Sequence, residues 1–197
     1  MNLYALCDVG LLKRFGLGFE EFVAIASLYD ASMIQYRNKG ASLPVVEEDL
    51  QELRRLWPRE LIVNDFVEMA HLCDGVHLGQ EDLEALCQEA GARDLGEGVE
   101  LVRQRIGRER LLGLSTHNLE EIEVANRFDL DYIGLGAYRA SRTKAVTNLL
   151  GSRLPQLAAA STHPVVAIGG VQLFDSIPNT WLKAVGSDLC IKGLTFA

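Results

Sequence analysis

The chain has 197 residues, 48% of them apolar and 23% charged, a balance that suits a globular fold and excludes disordered and fibrous classes. Its formal net charge of −8 argues against nucleic acid as a partner, so positive charge that handles an anionic ligand has to be gathered locally. No apolar run approaches the length that spans a bilayer, and the start, MNLYALCDVG, lacks the basic and long apolar regions of a leader. The expectation is a cytoplasmic protein with no membrane partner. Cys7, Cys73, Cys87 and Cys190 are dispersed without a CxxC pair, which predicts reduced thiols, most of them buried, rather than a disulfide framework or a zinc site.

Short strand-like runs alternate with helix-like segments along the whole chain. LYALCDV (3–9) is followed by the helical pattern of FEEFVAIASLYD (19–30), and SMIQYR (32–37) by that of VVEEDLQELRRLW (45–57). LIVN (61–64) and GVHL (75–78) come next, then LLGLS (111–115) and NLEEIEVANRF (118–128), where Leu119, Ile122, Val124 and Ala125 stand against acidic neighbours. YIGLG (132–136), PVVAIG (164–169) and DLCIK (188–192) complete eight runs. Near-continuous apolar strands alternating with amphipathic segments predict a parallel sheet covered by helices. No linker or change of composition divides the chain, so one domain over 1–197 is expected. Its closed form is a (β/α)8 TIM barrel; an open doubly wound sheet is the alternative. In seven of the eight runs the polar or glycine residue stands at the C-terminal end: Asp8, Arg37 with Lys39, Asn64 with Asp65, Gly79 to Asp82, Ser115, Gly136, and Gly169 with Gly170. Barrel enzymes gather their reacting groups at that face, whereas the plainer reading is that strands end in turn residues. With Ala197 five residues past Lys192, the last helix is expected to be short or missing. An uncovered eighth strand predicts a homodimer, or cover from a neighbouring helix.

Several of these strand ends carry chemistry. In QYRNK (35–39), Gln35, Arg37 and Lys39 alternate and so point the same way in an extended chain, a fork and a point charge suited to a diphosphate; a solvated basic strand end is the other reading. Asn64, Asp65 and the Gln80–Glu81–Asp82 turn offer oxygen ligands for Mg2+, which completes its shell with substrate phosphates. The two aspartates read equally as N-caps of helices starting at Phe66 and Leu83. In GAYRASRTKAV (136–146), Ser141, Thr143 and Lys144 suit a second phosphate, and the glycines of AIGGV (167–171) admit close backbone approach to a ligand. His77, inside a strand, reads as structural, while His117, just past Ser115, is placed to touch a substrate.

QYRNK, LIVNDFVEMA, DGVHLGQED, LLGLSTHNLEE, DYIGLGAYRASRTKA and PVVAIGGV, in that order, resemble the successive signatures of the thiamine-phosphate synthase family, which shares its fold with thiazole tautomerases. The resemblance implies a (β/α)8 barrel acting on two small molecules. It would join a hydroxymethylpyrimidine diphosphate to a thiazole phosphate, releasing pyrophosphate. It further implies diphosphate and pyrimidine contacts at Gln35, Arg37, Lys39, Asn64, Ser115 and Lys144, with Arg37, Lys39, Ser115 and Lys144 serving catalysis. Mg2+ would fall on Asp65 and Asp82, and the thiazole phosphate on Ser141, Thr143, Gly170 and the Ile191–Lys192 turn. Four features depart from the family pattern. Phe66 stands where the family has arginine; Ser141 replaces threonine, with Arg139 and Arg142 added; Lys192 falls where a serine is expected; and residues 83–98 lengthen the fourth connection, as a lid or an outer helix. A tautomerase using a histidine and a non-catalytic phosphate-ligand binder are the alternatives. The joint presence of Arg37, Asp65, Asp82 and Lys144 favours the synthase.

Overall fold

A computed structural model describes residues 2–140 and 149–195. Eight strands, β1 (Leu3–Asp8), β2 (Met33–Arg37), β3 (Glu60–Asn64), β4 (Gly75–Leu78), β5 (Leu111–Thr116), β6 (Tyr132–Leu135), β7 (Val165–Ala167) and β8 (Leu182–Val185), pair in parallel in chain order, and β8 returns to β1 to close a barrel. The open-sheet alternative is thereby excluded. Outside lie α1 (Val9–Phe15), α2 (Phe19–Leu28), α3 (Leu43–Leu56), a 3-10 turn (Val67–Leu72), α4 (Gln80–Ala90), α5 (Leu95–Ile106), α6 (Leu119–Ala125), α7 (Leu154–Ala158) and α8 (Ser187–Leu194). No helix among the described residues is long and apolar enough to cross a membrane.

Strand alternation sorts the side chains into two cores. Outward-facing Ala5, Cys7, Ile34, Tyr36, Leu61, Val63, Val76, Leu112, Leu114, Ile133 and Leu135 pack with helix residues such as Phe22, Leu50, Leu53, Val102 and Ile122. Inward-facing Tyr4, Met33, Ile62, Tyr132, Val166, Leu182 and Ala184 fill the barrel. All four cysteines are free and buried in the outer layer or under helices. At the N-terminal end of the barrel, Arg103, only 4% exposed, holds the start of β5 and β6 through Asp131 Oδ2 (2.6 Å) and the carbonyls of Arg110 (2.7 Å) and Asp129 (2.9 Å).

The eighth strand lies earlier than the sequence suggests. LKAV forms it, and DLCIK belongs to α8. Lys183 interrupts the apolar run and hides the strand, its ammonium donating to the carbonyls of Leu173 (2.9 Å) and Asp175 (2.7 Å). Leu189, Cys190 and Gly193 meanwhile share a helical face and are buried against the barrel. An eighth helix is therefore present, though short, and the argument for a second copy covering a bare strand loses its premise. The lengthened fourth connection becomes an outer helix rather than a lid. α4 ends at Gly91, in the left-handed region (φ 69°), and α5 begins behind the Asp94 cap, which accepts from the Glu97 N–H at 2.9 Å. Gly98 lets the pair close, since a Cβ there would stand 2.0 Å from Cys87 Sγ.

Candidate active site at the barrel mouth

The inward register delivers the polar residues to one end. In β2, Met33, Gln35 and Arg37 face inward in succession, and β1 sets Leu6 beside Gln35 and Asp8 beside Arg37. Asn64 of β3 lies level with His77, His77 with Gly113, and Ser115 with Gly134. Thus β1, β2, β3 and β5 end in polar side chains at the C-terminal end of the barrel, where the helices begin, and His77 adds one near the end of β4. Asp8 uses both carboxylate oxygens. Oδ1 caps α1 by accepting from the Leu11 N–H (3.0 Å), and Oδ2 takes a short ion-paired hydrogen bond from Arg37. The sequence marked Asp8 only as a strand end; its partner lies 29 residues away, beyond any local pattern.

Arg37, Asn38, Lys39, Gly40, Asn64, Asp65, Phe66 and Asp82 line one cleft of about 300 Å³. Asp65 turns directly off β3 with φ of 70°, and the Asn64 amide donates to its carboxylate. Burial chiefly, and then the neighbouring Asp82 carboxylate, push the Asp65 pKa up to about 6, against the pull of Lys39. Neither aspartate is a helix cap: Phe66 precedes the 3-10 turn and Gly79 caps α4, so Asp82 sits within the first turn of that helix. Gln80 instead braces the site, donating to the Ser115 carbonyl at 2.6 Å. Phe66 packs against the outer core, so the cleft wall is apolar where the family signature has a cation.

His77 is 4% exposed. Its ring stacks on Tyr132 at 5.5 Å between centroids, and its nitrogens contact the Tyr132 hydroxyl (Nδ1, 3.2 Å) and Ser115 Oγ (Nε2, 2.9 Å). Burial lowers its pKa to about 4, so the ring is neutral. The Tyr132 hydroxyl meets that of Tyr4 at 3.0 Å, and Tyr4 accepts from Gln35 Nε2, also at 3.0 Å. His77 is thus a structural group, as its strand position suggests, but one attached to the site. Tyr4 and Tyr132 escaped sequence reading because a tyrosine in an apolar strand gives no hint of which face it takes. His117 pairs with Glu121 at 2.9 Å at the start of α6.

On the far side of the mouth, Gly169 and Gly170 adopt φ of 82° and 67°. A Cβ on Gly170 would come within 2.8 Å of the Arg139 carbonyl, so glycine is what allows the two loops to meet. Arg139 secures that contact, binding Asp175 through both guanidinium ends (2.5 and 3.0 Å) and lying over the Tyr138 ring. Ser141, Arg142, Thr143 and Lys144 lie outside the described residues. Ile191 and Lys192, assigned by sequence to a strand-end turn, are instead on α8, with Ile191 46% exposed and Lys192 in its last turn. The residues that follow β8 at the mouth are Gly186 and Ser187.

A closed all-parallel barrel whose ionic side chains converge at the C-terminal ends of its strands defines a (β/α)8 barrel enzyme. The sequence profile described as thiamine monophosphate synthase matches residues 3–181. The chain belongs to that family. Its relatives include the thiamine-phosphate synthase of Persephonella marina, 33% identical over 177 residues that cover 87% of this chain and 77% of the relative. That of Chloroflexus aurantiacus is 38% identical over 179 residues, covering 86% and 74%. A solved structure, thiamine phosphate pyrophosphorylase from Pyrococcus furiosus, has the same fold, with a TM-score of 0.71 at 23% identity over 99% of this chain and 96% of that one.

Proposed function

We propose that the protein is a thiamine-phosphate synthase, which joins the pyrimidine carried on a diphosphate to a thiazole phosphate and releases pyrophosphate. The observation that carries this reading is the single cleft shared by Arg37, Lys39, Asn64, Asp65 and Asp82 in a chain of this family. In the reaction, the bond between the pyrimidinylmethyl carbon and the diphosphate oxygen breaks, its electron pair leaving with pyrophosphate. The thiazole nitrogen then supplies the pair for the new carbon–nitrogen bond. The protein's task is to neutralise developing negative charge, and no protein nucleophile is needed.

Arg37, held by Asp8, and Lys39 are placed for the diphosphate oxygens. Gln35 and Asn64 are assigned to the pyrimidine side. Asp65 and Asp82 fit a divalent cation on physical grounds: two neighbouring carboxylates in a half-buried cleft resist joint ionisation, as the raised pKa of Asp65 records, and a cation relieves that conflict. They would hold Mg2+, which supplies charge neutralisation for the leaving pyrophosphate. Ser115 and Lys144 are assigned to the same departing charge, and Ser141, Thr143 and Gly170 to the thiazole phosphate. Gly186 and Ser187, at the start of α8, take the place first given to Ile191 and Lys192. A cytoplasmic location suits such chemistry. The test is incubation with both phosphorylated substrates and Mg2+, with and without a chelator. Chelator-sensitive formation of thiamine phosphate is expected; its absence, with both substrates still bound, would leave a non-catalytic binder.

A further inference from the structure

The polar side chains inside the barrel form one file that runs from Gln35 to Ser115 through Tyr4, Tyr132 and His77. Its direction follows from counting protons. Gln35 donates Nε2–H to the Tyr4 oxygen, so the Tyr4 proton has the Tyr132 oxygen as its acceptor. A Tyr132 oxygen that accepts from Tyr4 has His77 Nδ1, 3.2 Å away, as the acceptor for its own proton. A neutral ring that accepts on Nδ1 carries its hydrogen on Nε2, which then has Ser115 Oγ, 2.9 Å away, as its acceptor. Ser115, accepting there, keeps its own hydroxyl proton for the mouth, and Gln35 keeps its carbonyl oxygen as an acceptor. Burial pushes both phenols well above their usual pKa, so each remains a donor.

We propose that this file fixes the hydrogen-bond polarity of the site, presenting Ser115 as a donor to an anionic phosphate and Gln35 as an acceptor, with Tyr4, Tyr132 and His77 as positioning residues. The opposite polarity would turn the Ser115 lone pairs toward the anion and repel it. Breaking the file leaves a buried polar atom unpaired, which is costly in a dry interior. The surrounding backbone accommodates the file: a Cβ on Gly113 would stand 2.2 Å from the Tyr132 ring and 2.6 Å from His77 Nδ1, and one on Gly134 3.1 Å from the His77 ring. Naming the anion as a diphosphate rests on the synthase reading; the direction of the file does not.

Two measurements test it. In the full chain labelled with 15N-histidine, two-bond proton–nitrogen correlations report the His77 tautomer, assigned by its loss in His77→Asn. Hydrogen on Nε2 is expected, and hydrogen on Nδ1 would overturn the file. In the second, binding of pyrophosphate with Mg2+ is measured by calorimetry. Tyr132→Phe keeps the ring, and should weaken binding about tenfold, the loss of one charge-assisted hydrogen bond. Ser115→Ala should do the same, and the double variant no more than Ser115→Ala alone. Multiplying effects would show that Tyr132 acts independently of Ser115 and would refute the positioning role. Tyr4→Phe provides the same cycle if Tyr132→Phe does not fold. An Nε2–H tautomer in a protein that forms no thiamine phosphate would support the file while retiring the synthase reading.

Discussion

Asp8 joins a helix start to a site cation through its two oxygens, and the two roles can be separated. Asp8→Asn keeps a good cap but loses the charge opposite Arg37. It should melt close to the parent while raising the KM for the pyrimidine diphosphate. Asp8→Ala should lose about 1 kcal/mol of stability as well, the usual value of a cap; equal melting of both variants would refute the cap. Asp65 makes a pH prediction. Its folded pKa of about 6 lies above the ordinary 3.8, so the folded protein holds the proton more tightly and loses stability as pH rises through that interval. Metal-free Asp65→Asn should therefore melt higher than the parent at pH 7, the gap closing as pH falls toward about 4. Parallel melting curves across that range would remove the assignment. Charged residues of this kind were readable because each follows an apolar run. The Asp8–Arg37 pair and the interior tyrosines were not, since partners on different strands leave no spacing to recognise.

At the level of elements, seven strands follow from apolar runs ending in a polar residue, and β8 shows why that signal fails. Lys183 points its ammonium at loop carbonyls, so the strand reads as mixed, while the helix behind it has the more apolar sequence. The mistake set Ile191 and Lys192 at a strand end and passed over Gly186 and Ser187, which are the residues that follow β8. Arg103 tests the opposite end of the barrel. It is almost fully buried and binds two backbone carbonyls and a carboxylate at the base of β5 and β6. Arg103→Ala should cost about 3 kcal/mol, through the hydrogen bonds and packing lost with a buried guanidinium. Urea unfolding measures that loss. Substrate KM values should hold, because the mouth lies at the far end of the strands; a changed KM without a loss of stability would contradict the division between the two ends.

For the molecule as a whole, closure depends on β8 pairing with β1 and on α8 packing beside α1 and α2. Leu189 and Cys190 are fully buried, and Gly193 fits tightly against Ile25. A chain ending at Val185 should lose its cooperative thermal transition, as followed by circular dichroism; a sharp transition near the parent's would mean that α8 is dispensable. The acidic net charge of −8 coexists with a cleft that gathers Arg37 and Lys39 beside Asp65 and Asp82, cations and carboxylates that the sequence marked at the ends of separate runs.

The two glycines beneath the stacked rings carry a consequence for descent. No single substitution at Gly113 is free, since the smallest side chain would already strike the Tyr132 ring, and a smaller residue at 132 would leave a void beside His77. Positions 77, 113, 132 and 134 can therefore drift only as a set. Among diverging copies of this chain, a larger residue at 113 should be accompanied by the loss of tyrosine at 132, and an inheritance that altered one without the other would yield a barrel that closes poorly.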